Sequence, residues 1–280
     1  MKCNRVTKIL GIKYPILQGP LSWLTNAELV ASVSNAGGMG ILGPNAGQTT
    51  VTQSPIEKAE RYRREIQKTK ELTDKPFAAS LILNGDMTYT GPILDIVIEE
   101  KVSAVLVNIF EGDLDSTIFS RLKKNGVKII YRPLNPTASN AQSAEKLGAD
   151  IYVATGFDEG GTVPDKVIGT FSIVPLIVDA VEGIPVVAAG GITDIRGVRA
   201  SFALGAEGVF VGSVFIPVNE SPAAQNVKEL IVNSSAEDLL LFRTIPAYYR
   251  SLPGELAYNL LEMDNKGVSR EEIGKKWGGL

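Results

Sequence analysis

The chain has 280 residues, 44% of them hydrophobic and 21% charged, with a formal net charge of −3 and no histidine. This balance can bury a sizeable core in one large domain, or in a domain with an appendage, and it offers nucleic acid no electrostatic footprint. Without histidine, Ser-His-Asp hydrolases, Cys-His proteases and His-ligated zinc sites are excluded; the lone cysteine, Cys3, rules out an internal disulfide and cysteine-rich metal clusters.

The opening Met1-Lys2-Cys3-Asn4-Arg5 lacks the apolar run of a signal peptide. No stretch reaches the ~20 apolar residues that span a bilayer. The expectation is a cytoplasmic protein that acts on a small molecule, with no nucleic-acid or membrane partner; a homodimer is left open.

Short apolar runs then alternate with longer amphipathic ones, the pattern of βα units around a parallel sheet. Strands are expected at Tyr14–Leu17, Met39–Leu42, Phe77–Leu83, Ala104–Ile109, Lys128–Arg132, Ile151–Ala154, Pro185–Ala189 and Gly208–Val211. Helices fall between them at Asn26–Asn35, Ile56–Lys70, Ile93–Glu100, Thr117–Asn125, Ala138–Leu147, Phe171–Glu182 and Ile195–Leu204. Asn26, Thr193 and Asp194 suit helix starts, and Gly37, Gly126, Gly148 and Gly205 suit helix ends. Eight strands in about 200 residues predict a TIM (β/α)₈ barrel, with an open doubly wound sheet as the second choice. The barrel is expected over 1–235, with a short C-terminal helical appendage over 236–280, where Pro246 and Pro253 interrupt an apolar stretch.

In such a barrel the chemistry stands just after the strands. Gln18-Gly19-Pro20 follows the first strand and Gly43-Pro44-Asn45-Ala46-Gly47 the second, placing two amides at the mouth. Those amides can hydrogen-bond a cofactor ring or stabilise loops. Gly190-Gly191-Ile192-Thr193 follows the seventh strand and Gly212-Ser213 the eighth. Two glycine turns on adjacent strands let backbone N–H groups approach an anion closely, and Ser213 adds a hydroxyl. They predict a phosphate site.

Five stretches then point to a known family. Tyr14-Pro15-Ile16-Leu17-Gln18-Gly19-Pro20 with Val30–Gly40, Ser172–Val178 with Ile184–Ile192, and Leu204–Ser213 together resemble the nitronate monooxygenase (2-nitropropane dioxygenase) family. The resemblance spans roughly residues 8–235, and the flavin-containing enoyl-acyl-carrier-protein reductases share the same motifs. It implies FMN at the C-terminal face, held by Gly160 and Gly161 after strand six, Gly190 and Gly191 after strand seven, and Phe210, Val211, Gly212 and Ser213 at strand eight. Gln18, Gly19 and Asn45 are expected beside the ring. Ser80 stands where the family usually carries asparagine, and Thr155 where it carries Gln or Glu.

The largest departure is in the sixth loop. The family's Glu-Ala-Gly-Gly-His is replaced by Asp158-Glu159-Gly160-Gly161-Thr162, so the position of the family's catalytic histidine is held by Thr162. A threonine hydroxyl donates a hydrogen bond but is no base near neutral pH. Asp158 and Glu159 are read first as solvated loop carboxylates and only second as substitutes for the imidazole. The resemblance implies an FMN-dependent oxidoreductase that oxidises a small nitronate-like substrate with O₂. The alternatives are an enoyl-thioester reductase drawing on NAD(P)H, and a flavin-binding protein that has lost the family's catalysis.

Overall fold

The computed structural model describes residues 4–83, 86–109 and 114–278; Cys3, Gly279 and Leu280 lie outside them. The chain opens with α1 (Arg5–Leu10) and then runs β1 (Ile16–Gln18), α2 (Ala27–Asn35), β2 (Ile41–Leu42), α3 (Pro55–Leu72), β3 (Ala78–Leu83), α4 (Met87–Glu99), β4 (Ala104–Ile109), α5 (Ser116–Lys124), β5 (Lys128–Pro133), α6 (Ala138–Leu147) and β6 (Ile151–Thr155). It continues through β7 (Gly161–Val163), α7 (Thr170–Val178), β8 (Val186–Ala189), α8 (Ile195–Ala203), β9 (Gly208–Val211), α9 (Gln225–Asn233), β10 (Leu240–Arg243), β11 (Tyr248–Ser251), α10 (Glu255–Asn265) and α11 (Arg270–Trp277).

All eight expected barrel strands form, in the order β1-β9-β8-β6-β5-β4-β3-β2, and every neighbouring pair is parallel. A bridge between Leu17 and Met39 closes the sheet on itself, giving a TIM barrel. Gln18 completes that seam: its N–H donates to the Met39 carbonyl, and its side-chain Oε1 accepts from Ile41 N–H at 3.1 Å, standing in for a ladder carbonyl. Tyr62 of α3 does the same between β2 and β3, where its hydroxyl accepts from Ser80 N–H and donates to the Leu42 carbonyl.

The two-residue period of the strands sorts the side chains into two cores. Leu17, Met39, Ile41, Ala78, Ala104, Leu106, Ile130, Ile151, Val153, Val187, Ala189 and Phe210 form one cluster in the barrel interior. Val6 and Leu10 of α1 join it, so this helix plugs one end. Alternate residues such as Ala79, Leu81, Val105, Val107, Ile129 and Tyr152 pack outward against the helices. Each fully buried Val, Leu or Ile side chain contributes about 1.5–3 kcal/mol.

Helix starts follow their caps. Asn26 and Asp194 accept from Leu29 and Arg196 N–H as expected. Asp86 accepts from Thr88 N–H and begins α4 at Met87, ahead of the predicted Ile93, with Pro92 inside the helix. The C-terminal region corrects the expectation of a purely helical appendage. Residues 236–278 hold two helices and also the antiparallel pair β10–β11, whose edge adds β7 as a third strand. Phe242, Ala257, Leu260 and Ile273 bury a small core of their own. The strands escaped the helical reading because they are four residues each and flank a turn at Pro246.

Among the described residues, no helix is long and apolar enough to cross a membrane. No group of three or more His, Cys, Asp or Glu that could hold a metal ion stands together among them.

Candidate active site

The C-terminal ends of the barrel strands form a mouth whose two sides differ in kind. On one side lie the glycine turns. Gly190 and Gly191 after β8 have φ of +102° and +69°, conformations that favour glycine. A Cβ on Gly190 would stand 2.8 Å from the Gly156 carbonyl oxygen. One on Gly191 would stand 3.0 Å from Asp158 Cβ. Thr170 Oγ1 donates to the carbonyl of Gly190 at 2.9 Å and pins this turn to the start of α7. After β9, Gly212 and Ser213 lead into a short 3₁₀ turn. A Cβ on Gly160 would lie 3.3 Å from Ser213 Oγ, so the loops after β6 and β9 meet. The backbone N–H groups of Gly191, Ile192, Gly212 and Ser213 have no protein acceptor among the described residues. The structure thus brings Gly160, Gly190, Gly191, Gly212 and Ser213 together on one side of the mouth, with free backbone N–H groups among them.

The other side is built from side chains. Ser80, Asn108, Arg132, Thr155 and Phe210 share the parity of the interior core but stand nearer the mouth. Asn108 Nδ2 donates to Ser80 Oγ at 2.9 Å. The Arg132 guanidinium lies 5.5 Å from the centre of the Phe210 ring. Its Nη2 donates to Glu159 Oε2 at 2.5 Å, and both side chains are only 13% exposed. Three polar atoms here are buried without a partner among the described residues: Arg132 Nε, Glu159 Oε1 and Thr155 Oγ1. Buried polar groups are ordinarily hydrogen-bonded, so these three atoms are unsatisfied exceptions gathered in one place. Burial pushes the Glu159 carboxyl up to about 7, against the opposing pull of Arg132 and Arg250.

Other sequence-predicted positions have roles in the wall. The amide of Gln18 bonds to Ile41 N–H and to the Gly19 carbonyl. Asn45 Nδ2 reaches Ser22 Oγ at 3.3 Å, tying the loops after β1 and β2. Gly19 leaves room for the Phe210 ring, which a Cβ would approach to 2.7 Å. Val211, the last residue of β9, packs in the outer core.

Thr162 lies in β7, half-buried and paired in register with Tyr249 of β11. β11 of the same three-stranded sheet carries Arg250, whose Nη1 donates to the carbonyls of Phe157 and Glu159, both at 2.5 Å. The two loop carboxylates differ. Asp158 Oδ2 accepts from Thr170 N–H at 2.6 Å and so holds the start of α7, while Glu159 turns into the mouth, which corrects its reading as a solvated carboxylate. Desolvation beside a guanidinium is what a free loop position could not provide.

Sequence reasoning passed over Arg132, Asn108 and Arg250. For the first two the signal was available: Arg132 has the parity of Ile130, and Asn108 that of Leu106. Arg250 had no local signal, because its role depends on β11 docking against a strand nearly ninety residues earlier, as the register Arg250–Gly161 shows.

An eight-stranded parallel barrel thus carries glycine turns and a buried ion pair at its mouth. The family model for nitronate monooxygenase matches residues 4–272, and the chain belongs to this family of oxidoreductases. A probable nitronate monooxygenase of Staphylococcus saprophyticus is 34% identical, over 94% of this chain and 82% of that protein. One from Staphylococcus haemolyticus is 34% identical over 85% and 74%. Among solved structures, FabK from Thermotoga maritima is similar with a TM-score of 0.82 and 34% identity, covering 95% of this chain and 79% of that one. A nitroalkane oxidase from Streptomyces ansochromogenes has a TM-score of 0.78 over 97% and 85%, and at 23% identity it speaks for the fold alone.

Proposed function

We propose that residues 1–235 bind FMN across the barrel mouth and that the protein oxidises a small nitronate-like anion with O₂, while residues 236–280 brace the loop that faces the substrate. The observation that carries this reading is the cradle of Gly160, Gly190, Gly191, Gly212 and Ser213 beside the orphaned polar atoms of Arg132, Glu159 and Thr155. The fit is chemical as well as spatial. Free backbone N–H groups and a serine hydroxyl suit a phosphate, and a mixed set of unsatisfied donors and acceptors suits a polar ring edge. Family membership supports a flavin.

When bound, FMN supplies the electron acceptor that passes electrons on to O₂. The chain's own residues do the rest. The glycine turns hold the phosphate without side-chain obstruction. Ser80, Thr155, Asn108 and the neighbouring Gln18 and Asn45 line or support the ring side. Arg132 places positive charge at the mouth, where it draws an anionic substrate, and Phe210 closes the barrel beneath it against water. Thr162 positions a substrate by a hydrogen bond and moves no proton.

The test is direct. Purified protein should carry a yellow chromophore that is released as FMN rather than FAD, and O₂ uptake should rise when a pre-ionised alkyl nitronate is added. Protein that neither retains nor takes up FMN overturns the assignment.

A second reading, an enoyl-thioester reductase drawing on NAD(P)H, is favoured by one observation. Glu159 sits buried at the mouth against Arg132, and burial raises its carboxyl toward about 7; reduction of an enoyl thioester needs a proton delivered to carbon. Oxidation of NAD(P)H that depends on an enoyl thioester and is absent with nitronates would select it.

A further inference from the structure

The sixth loop of the barrel places a carboxylate, Glu159, just before Gly160-Gly161 and a hydroxyl, Thr162, just after them. The fold turns that carboxylate onto Arg132 at the mouth. One of its oxygens meets Arg132 and the other, Oε1, is buried with no partner among the described residues. Two further orphans, Arg132 Nε and Thr155 Oγ1, stand in the same side of the mouth. Arg250 grips the Glu159 carbonyl from β11 and fixes the backbone that aims the side chain.

We propose that Glu159 is the catalytic acid–base residue of this site, with Arg132 as its charge partner, so that the protein accepts neutral nitroalkanes as well as preformed nitronates. The inference rests on the nitronate-oxidising reading above. The step is a proton transfer. Glu159 Oε1 takes the proton from the carbon that bears the nitro group. The C–H electron pair becomes the second C–N bond of the nitronate, and an N–O π pair moves onto oxygen. No redox change occurs until the nitronate is oxidised. The charge at the mouth is conserved throughout: Arg132 faces a carboxylate before the transfer, and a neutral carboxylic acid with a nitronate anion after it. Its unpaired Nε–H is free to bind that anion, so one guanidinium stabilises both sides of the step.

The titration of Glu159 agrees with this role. The charged groups that face it are Arg132 from β5 and Arg250 from β11, with Asp158 beside it in the loop. Burial outweighs both cations and brings the carboxyl to about 7, close to the pH at which a general base is most effective.

Solvent deuterium exchange into nitroethane, followed by NMR under anaerobic conditions, reads proton abstraction without any oxidation. The FMN-loaded wild type should accelerate exchange over buffer, with a rate that rises through about pH 7. E159Q, at equal FMN content and with a cooperative melting transition, should lose about 10²-fold or more, and E159D should retain an intermediate rate. Exchange by E159Q as fast as by wild type overturns the proposal. If E159Q does not fold, E159D and the wild-type pH profile decide: a pH-independent enzymatic rate also overturns it. Wild type that oxidises preformed nitronate yet exchanges no faster than buffer sinks the role of Glu159 and leaves the nitronate reading standing. Exchange without nitronate oxidation does the reverse.

Discussion

The two sides of the barrel mouth solve different problems with different material. The side after β8 and β9 is almost all backbone: positive-φ glycines, free N–H groups and one serine. The side formed by β3 to β6 is almost all side chain: an amide on a hydroxyl, an arginine on a phenyl ring, a glutamate locked to the arginine. In the backbone cradle Gly190 and Gly191 tolerate little substitution, because both hold positive φ and a Cβ on either would press against Gly156 or Asp158. A side-chain wall can be rebuilt one residue at a time. The loop of Glu159 and Thr162 belongs to this wall, and neither residue type is dictated by backbone geometry.

The contrast is broken most sharply at Gly191. A G191V substitution forces a β-branched residue into φ of +69° and presses its Cβ to 3.0 Å from that of Asp158. Loss of flavin retention is expected, measured as the absorbance ratio of purified protein. Retention of FMN at wild-type affinity would mean that the anion site lies elsewhere.

Next comes Arg132. R132M strips Glu159 of its partner, and breaking a buried pair costs about 3–5 kcal/mol when the survivor stays charged. Glu159 can escape part of that by holding its proton. In the wild type its folded-state value is about 7 against an ordinary 4.5, so the folded state binds the extra proton between these values. The stability from this group is present in full below about 4.5 and is lost as pH rises through about 7. Removing Arg132 pushes the carboxyl further up, so the melting-temperature deficit of R132M should widen from pH 5.5 to pH 8.5. A deficit independent of pH would separate Glu159 from Arg132 energetically.

A smaller effect is expected at the brace. R250M removes the two bonds to the loop carbonyls but leaves the β7–β11 pairing in place. Turnover should fall by about tenfold with flavin content intact, since small misplacements of catalytic groups cost up to ~10². R250K, which can reach only one carbonyl well, should recover part of it. Equal loss of flavin and turnover would make Arg250 merely structural.

The same contrast explains what was legible in the sequence. The eight barrel strands could be read because parallel strands buried on both faces are near-continuous apolar runs, and the glycine turns because their residue type is dictated by backbone geometry. The wall was harder. Arg132 and Asn108 were absorbed into apolar runs whose two-residue period was not followed to its end. Gln18 and Asn45 were visible as amides at the mouth, yet their bonds to Ile41 N–H and Ser22 depend on how β1 and β2 close the barrel. The strand β7 is three residues long and exists through its pairing with β11, a partner that local pattern cannot supply.

Thr162 and Glu159 make the finest test, because they compete for one role. β7 presents Thr162 opposite Tyr249 with Gly161 before it and Val163 buried after it, so a larger side chain at 162 inherits the same strand position. An imidazole there can carry a proton or a developing charge, which a hydroxyl cannot. In a chain with no other acid or base, T162H should raise nitronate turnover by ~10-fold or more, the low end of what a positioned group contributes. If Glu159 already holds the role, the gain in the wild-type background shrinks below that, and the full gain emerges only in E159Q. The two substitutions should therefore be strongly non-additive, as expected for groups in one network. The measurement is turnover of nitroethane and of its pre-equilibrated nitronate by the four proteins, at matched FMN content. A T162H gain of the same size with and without Glu159 would show that the carboxylate takes no part in the chemistry, and would return the mouth to a design with one missing residue.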